Sequence, residues 1–518
     1  MVKAPTSFTL RHGLPGLAAA ALVAIGALGV GWLPLTSNML ANPLVDSLRS
    51  SLAGSLAARA LVIIGLAVLL QAWLVLGSEL MAASRRGLIS PVRDIAWVLI
   101  MWSAPLLLAP PLFSRDVYSY YVQGRVFGEG YDPSSIGISV IPGWFDDGAD
   151  PMWVESPTPY GPLFLLVERA VATFAHPNAY LGALLFRAVA VLGVALMAYY
   201  VPRLAFAHGI DPGRALWLGV LNPIVLMHFI AGGHNDALMV GLVVAGLALA
   251  TEKRCMWGAV AVSLAVAVKP IALVALPFVG LLWAGREGRW IDRIRSWAYA
   301  LIALACTLAS VYLVADAGYG VISAAFGTPS GVLTWLSPPT AIGKILGTLT
   351  SAVGLTTDAT PVLAVVRLLG ELVALLAVAW LILRPAGRSP VRGAALALGV
   401  IVVLGPVVQP WYLLWFLPLF AATGLRVREL QAAVILTAAF TVHGMIESSA
   451  NADNLTDIAD TLTFLVAIVI VVVIVAASPR ERALVLGSGQ SIGLEPDSDD
   501  AKQRAEQMTW PEFGRIPT

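Results

Sequence analysis

The chain has 518 residues, of which 58% are hydrophobic and only 12% charged, with a mean hydropathy of +0.83. Soluble globular chains carry about 25% charged and about 45–50% apolar residues, so this composition excludes a soluble enzyme, a disordered protein and a nucleic-acid binder. The 32 basic and 31 acidic residues leave a formal charge of +1, too small to attract a polyanion as a whole.

A bilayer core about 30 Å thick calls for roughly 20 apolar residues per helix, with every backbone polar group satisfied inside the segment. Apolar runs occur at 15–34, 57–77, 92–112, 179–201, 214–231, 235–251, 255–268, 271–285, 296–315, 360–384, 393–409, 411–424, 430–447 and 459–477. They predict an all-α polytopic integral membrane protein with about 12–14 transmembrane helices, the shorter runs also fitting half-helices or re-entrant pieces. The run at 160–176 is apolar but short and carries Glu168 and Arg169. The first run, behind Lys3 and Arg11, is longer than an ordinary signal-peptide core and reads as an uncleaved anchor. The organisation expected is a short N-terminus over 1–14, a membrane domain over 15–479 and a polar, disordered tail over 480–518. Cys255 and Cys306 fall in or beside apolar runs, which argues against a disulfide framework or a cysteine metal site.

Short basic loops stay in the cytoplasm. Arg85, Arg86 and Arg93 separate the second and third runs, Lys253 and Arg254 follow the sixth, and Arg384, Arg388 and Arg392 follow the tenth. The intervening loops are poor in base, so both termini are expected in the cytoplasm of a multi-pass plasma-membrane protein. The 113–159 segment then faces outward, with seven acids against Arg115 and Arg125. It also carries Tyr118, Tyr120, Tyr121, Tyr131, Trp144 and Trp153, residues that favour the headgroup level. An interfacial helix is expected over 116–127. A second outer loop is expected over 316–358, broken by Pro329, Pro338 and Pro339.

Four polar clusters fall on the expected outer face. Asp116 stands where the third run leaves the membrane, a position that desolvates a carboxylate within reach of lipid-linked groups. It reads equally as a helix cap or as an interfacial acid paired with Arg115. Gly232-Gly233-His234-Asn235-Asp236 combines a tight reversal with three polar side chains at a helix start, where free N–H groups suit phosphate; a capped hairpin explains one or two of the three. Lys269 interrupts an apolar run beside Pro270 and needs a partner or an interface; it fits a cation for a lipid phosphate, or simple snorkelling. Gln409-Pro410-Trp411-Tyr412 supplies aromatics that fit a membrane belt or a sugar-stacking surface. Arg367 and Glu371, four apart on one helix, read as a structural ion pair. The clustering of polar residues on one face, without an internal repeat, speaks against a secondary transporter or lipid flippase.

With Asp116 heading a large first outer loop on a polytopic scaffold, the chain resembles the GT-C class of lipid-phosphate-sugar glycosyltransferases. Phe113-Ser114-Arg115-Asp116-Val117-Tyr118-Ser119-Tyr120, followed by Gln123-Gly124, resembles the actinobacterial polyprenol-phosphomannose-dependent α-1,6-mannosyltransferases of lipomannan synthesis. So do Pro159-Tyr160-Gly161-Pro162, Leu221-Asn222-Pro223, His234-Asn235, Ala267-Val268-Lys269 and Pro410-Trp411-Tyr412. The resemblance implies a polyprenyl-phosphate-mannose donor, a phosphatidylinositol-mannoside or lipomannan acceptor, and inversion at the anomeric carbon. The alternative within the class is another lipid-phosphate sugar, arabinosyl or glucosyl. On this reading Asp116 is the base, and Lys269 and His234 bind the donor phosphate, with Arg115 and Arg125 as lesser candidates. Asn235 and Asp236 orient donor or sugar, while Tyr118, Tyr121, Gln409, Trp411 and Tyr412 frame it. Asp116 lacks the second acid that many GT-C sites show, so no metal or other cofactor is expected.

Overall fold

Helix breakers decide which apolar runs become full spans. The computed structural model describes residues 6–447 apart from 87, 286–287, 319, 321–322, 325–333, 356 and 386, together with Pro479. Among the described residues every regular element is helical. In chain order the main ones are α1 (Ser7–Val30), α2 (Leu52–Arg85), α3 (Val92–Ser103), α4 (Asp116–Gly128), α5 (Pro162–Ala175), α6 (Ala179–Ala207), α7 (Asp236–Thr251) and α8 (Cys255–Val268). Then come α9 (Leu276–Ala284), α10 (Trp290–Ala315), α11 (Pro338–Ala352), α12 (Thr360–Leu383), α13 (Pro390–Leu404) and α14 (Val427–Glu447).

Five of these, α1, α2, α6, α10 and α12, are long and apolar enough to cross a membrane alone; the π-helical turn Val225–Ala231 and α7, bent by 110°, together form a broken span or a re-entrant loop. The sequence count of about 12–14 treated shorter runs as spans. Several of those runs fold as half-helices, and each break has a cause. Pro270 ends the helical run after α8 and starts a 3-10 turn, Pro270–Ala275, before α9. Pro410 and Pro418 divide 410–423 in the same way. The 459–477 run and the 480–518 tail lie outside the described residues. Within the expected second outer loop, 338–352 is helical instead. Ser337 caps it by accepting from the Thr340 N–H, Pro338 takes the first turn, and α11 packs on α12. Both cysteines are free, as expected.

Small residues let the spans approach closely, as helices do where lipid offers no hydrophobic drive. A Cβ at Gly193 of α6 would lie 2.2 Å from the backbone of Ala237 in α7. The expected helix over 116–127 is present as α4, yet it is not interfacial. Tyr118, Tyr120 and Tyr121 are 0–1% exposed, because α4 is covered by α5, by α6 and by the chain that follows it. A Cβ at Gly124 would meet the Glu168 carbonyl of α5 at 2.1 Å, which shows how tightly those two helices are pressed together. Arg367 donates to the Thr340 hydroxyl at 2.9 Å, tying α12 to α11.

Candidate active site

Four polypeptide pieces meet at the ends of α3, α4, α7 and α8. The first is Phe113-Ser114-Arg115-Asp116. Phe113 holds φ at +69°, a conformation that a bulky residue adopts only when its surroundings force it. Its ring packs 5.7 Å from His228. The reversal delivers Asp116 to the first turn of α4, where its N–H donates to the Ser114 hydroxyl at 3.0 Å.

The second piece is the turn between the π-helix and α7. Asn222 starts that π-helix by accepting from the Val225 N–H at 3.1 Å. Arg187, buried on α6, holds its far end, giving two hydrogen bonds to the Ala231 carbonyl at 2.9 and 2.6 Å and one to Leu107 at 3.0 Å. Its partners are carbonyls freed by irregular helix ends, which no residue code announces in the sequence. Gly233 then turns with φ +65°, and a Cβ there would lie 2.8 Å from Val117. The chain enters α7 with His234, Asn235 and Asp236 all buried.

The third piece is Lys269, extended at the α8 break. Its ammonium meets both Asp236 oxygens, at 2.9 and 3.0 Å. It also lies 5.2–5.7 Å from the ring centres of Trp415, Tyr412 and Tyr160. The Trp415 indole donates to Asp236 at 2.7 Å. The fourth piece, Pro410–Trp415, stacks Trp411 on His234 at 4.0 Å and Tyr412 on Trp415 at 4.0 Å. Gln409 is half-buried at its start.

Asp116 Oδ2 lies 3.2 Å from His234 Nδ1, a close contact outside hydrogen-bond alignment. Its Oδ1 accepts from the Trp153 indole at 3.4 Å. Burial would raise the Asp116 carboxyl, but His234, the Ser114 hydroxyl and the charge on Lys269 outweigh it and hold the group below its ordinary value. The carboxylate is therefore ionised at neutral pH. Asp150, in the covering loop, is pushed the other way, by burial first and by the neighbouring Asp116 charge.

The predicted residues thus divide. Asp116, His234, Asp236, Lys269, Trp411 and Tyr412 come together, with Asn235 beside them. Arg115 and Arg125 do not join them. Arg115 donates to the Gly148 carbonyl at 2.8 Å and lies over Trp32, while Arg125 pairs with Asp147; both fasten the loop over α4. Tyr118 gives its hydroxyl to the Trp32 carbonyl and Tyr121 contacts His176, so both are spent inside the fold. Sequence reading gave no site role to Trp153, Tyr160, Trp415 and His228. Buried polar atoms without a hydrogen-bond partner concentrate here: both nitrogens of His228, the Nε2 of His234, the Asn235 amide and the Trp411 indole N–H. Buried polar groups are normally satisfied, so such a concentration marks a place organised for something other than packing.

A conserved-domain profile described as alpha-(1->6)-mannopyranosyltransferase, N-terminal domain, matches residues 13–285, and one described as MptB C-terminal domain matches 339–477. Alpha-(1->6)-mannopyranosyltransferase A of Mycobacterium tuberculosis is 33% identical over 432 residues, covering 81% of each chain. A probable alpha-(1->6)-mannopyranosyltransferase of Mycolicibacterium smegmatis is 33% identical over 86% of this chain and 84% of its own. Alpha-(1->6)-mannopyranosyltransferase A of Corynebacterium glutamicum is 32% identical over 67% and 75%. A membrane-spanning helical scaffold with an ionised, half-enclosed carboxylate thus carries the sequence of a transferase over most of its length, and the chain belongs to the alpha-(1->6)-mannopyranosyltransferase family as a membrane-embedded mannosyltransferase.

Proposed function

We propose that this mannosyltransferase takes mannose from a polyprenyl-phosphate-mannose donor and adds it in α-1,6 linkage to a lipid-anchored mannan, on the extracytoplasmic face. The observation that carries the reading is that one ionised carboxylate, Asp116, and one ammonium, Lys269, stand partly open within reach of each other's charge. Each keeps about a seventh of its side chain open, 15% and 14% respectively.

A donor with a β-linked sugar that gives an α product requires a single displacement with inversion, the logic of inverting glycosidases. Asp116 takes the proton from the acceptor hydroxyl as its oxygen bonds to the anomeric carbon. The bond from that carbon to the phosphate oxygen breaks, and its electron pair leaves with the phosphate. The departing monoester is a weak base that needs a cation more than an acid. Lys269 has three N–H donors and shares them with the two Asp236 oxygens, so its open side can meet a phosphate. Tyr412 and Tyr160, whose rings flank the ammonium, are placed to line the sugar or the first isoprene units. The scheme needs no metal, because the Lys269 ammonium meets the charge on the departing phosphate.

The test is mannosyl transfer by membranes carrying comparable amounts of each protein, with and without a chelator. Asp116→Asn is expected to lower kcat by about 10²- to 10⁴-fold, the usual worth of a general base. Lys269→Ala is expected to raise the donor KM at least tenfold, since a hydrogen bond to a charged group is worth about 1.5–3 kcal/mol. Near wild-type transfer by Asp116→Asn removes the base assignment. An equal rate with a lipid-phosphate arabinose donor removes the specificity for mannose.

A further inference from the structure

His234 and Asp236 sit beside the two open groups, yet neither is open itself: His234 is 0% exposed and Asp236 is 1% exposed, against 15% and 14% for their partners Asp116 and Lys269. The site is therefore two layers deep. We propose that His234 and Asp236 are positioning residues, one turn of chain supporting the base and the phosphate cation from behind, and that donor and acceptor meet only the open layer. This rests on the reading of Asp116 and Lys269 given above and assigns what holds them.

The covalent chain explains why a single turn can do both tasks. Residues two apart at the start of a helix point in different directions. His234 reaches back to the first turn of α4, 3.2 Å from Asp116, whereas Asp236 reaches the α8 break and grips Lys269 through both oxygens. Neither side chain can drift. Trp411 stacks on the His234 ring at 4.0 Å, and the Trp415 indole holds Asp236 at 2.7 Å. The turn itself is fixed by Arg187 on the Ala231 carbonyl and by the left-handed Gly233. Base and cation belong to helices far apart in sequence, so their separation is set by residues 234–236 acting as a spacer. That separation is what an in-line displacement must match, because the attacking and leaving oxygens lie on opposite sides of one carbon.

Charge supports the same division of labour. The groups that face Asp116 are His234 from the turn, Lys269 from the α8 break, Asp150 from the covering loop, and the phenols of Tyr120, Tyr160 and Tyr412. His228 faces His234 from the π-helix. Among these His234 does most to offset the burial of Asp116. Removing it takes away the leading influence that holds the carboxyl down and moves it upward.

Kinetics separate a supporting role from a contacting one. His234→Ala is expected to lower kcat by up to about 100-fold, the scale of a displacement of about 1 Å at the reacting centre, with donor KM within twofold of wild type. The acid limb of its kcat profile should move to higher pH. His234→Gln keeps an N–H near Asp116 and most of the volume, and should recover part of both effects; it carries the test if the alanine variant fails to accumulate in membranes. Asp236→Asn should raise the donor KM, and a double variant with Lys269→Ala should be no worse than Lys269→Ala alone, because both changes act through one ammonium. A donor KM raised by His234→Ala with an unmoved acid limb, or additive effects of the 236 and 269 changes, would overturn the proposal and make these side chains ligands. The Asp116→Asn control keeps the two readings apart: if it retains transfer, the base assignment fails whatever position 234 does.

Discussion

Trp153 of the covering loop hydrogen-bonds Asp116, and its placement depends on a chain of ordinary contacts. Asp150 accepts from the Met152 N–H at 2.9 Å, which starts the short turn that carries the indole. The Asp150 N–H in turn donates to the Ser119 hydroxyl of α4 at 3.2 Å. Arg125 and Arg115 hold the same loop at Asp147 and Gly148. The indole thus meets Oδ1 while His234 faces Oδ2, so both carboxylate oxygens have a fixed neighbour. Trp153→Phe removes one long hydrogen bond and keeps the ring. A fivefold fall in kcat, corresponding to about 1 kcal/mol, is expected in the membrane transfer assay with donor KM unchanged. A larger effect on acceptor KM would show instead that the indole stacks on the acceptor sugar.

At the scale of elements, the contact of α4 with α5 decides where the base stands. Gly124 allows the two backbones to touch, and any Cβ there would lie 2.1 Å from the Glu168 carbonyl. A backbone atom cannot swing aside as a side chain can, so Gly124→Ala must separate the helices. Overpacking of this kind costs about 1–3 kcal/mol, and because Asp116 opens α4 the strain reaches the site. Gly124→Ala is expected to lower both the melting temperature in detergent and kcat, whereas Gly128→Ala, with open space around it, should change neither. The sequence placed Gly124 just after the 113–120 stretch that carries the family resemblance but did not show what pressed on it. Sequence periodicity reports which residues are apolar, and α4 reads as mixed because its tyrosines and Gln123 are buried by neighbours distant in the chain. That is why an interfacial helix was expected and an enclosed one is found. The same limit applied to Tyr118 and Tyr121. Asp116, the 234–236 turn and Lys269 were legible because a polar residue beside lipid needs a reason. Their pairing, His234 with Asp116 and Asp236 with Lys269, was not legible, since nothing local indicates which of two carboxylates each cation will meet.

For the whole molecule, the helix ends bear on the proposed extracytoplasmic placement of the site. α3 begins beside Arg93 and leads toward Asp116; α6 runs from Ala179 toward Arg203; α7 runs from Asp236 to Lys253 and Arg254; α8 returns from there to Lys269. α7 and α8 each have one end at the site and the other at basic residues. Short loops rich in Lys and Arg are retained in the cytoplasm, which supports the proposed extracytoplasmic site, open to a lipid-linked donor in the outer leaflet. Two single cysteines in a Cys255→Ala, Cys306→Ala background decide it. Phe145→Cys lies in the covering loop, where the side chain is 47% exposed, and should react with a membrane-impermeant maleimide in intact cells. Arg384→Cys, exposed just past the end of α12, should react only after the membrane is opened. The reverse pattern would put Asp116 in the cytoplasm, and a lipid-phosphate donor on the outer leaflet would then be out of its reach.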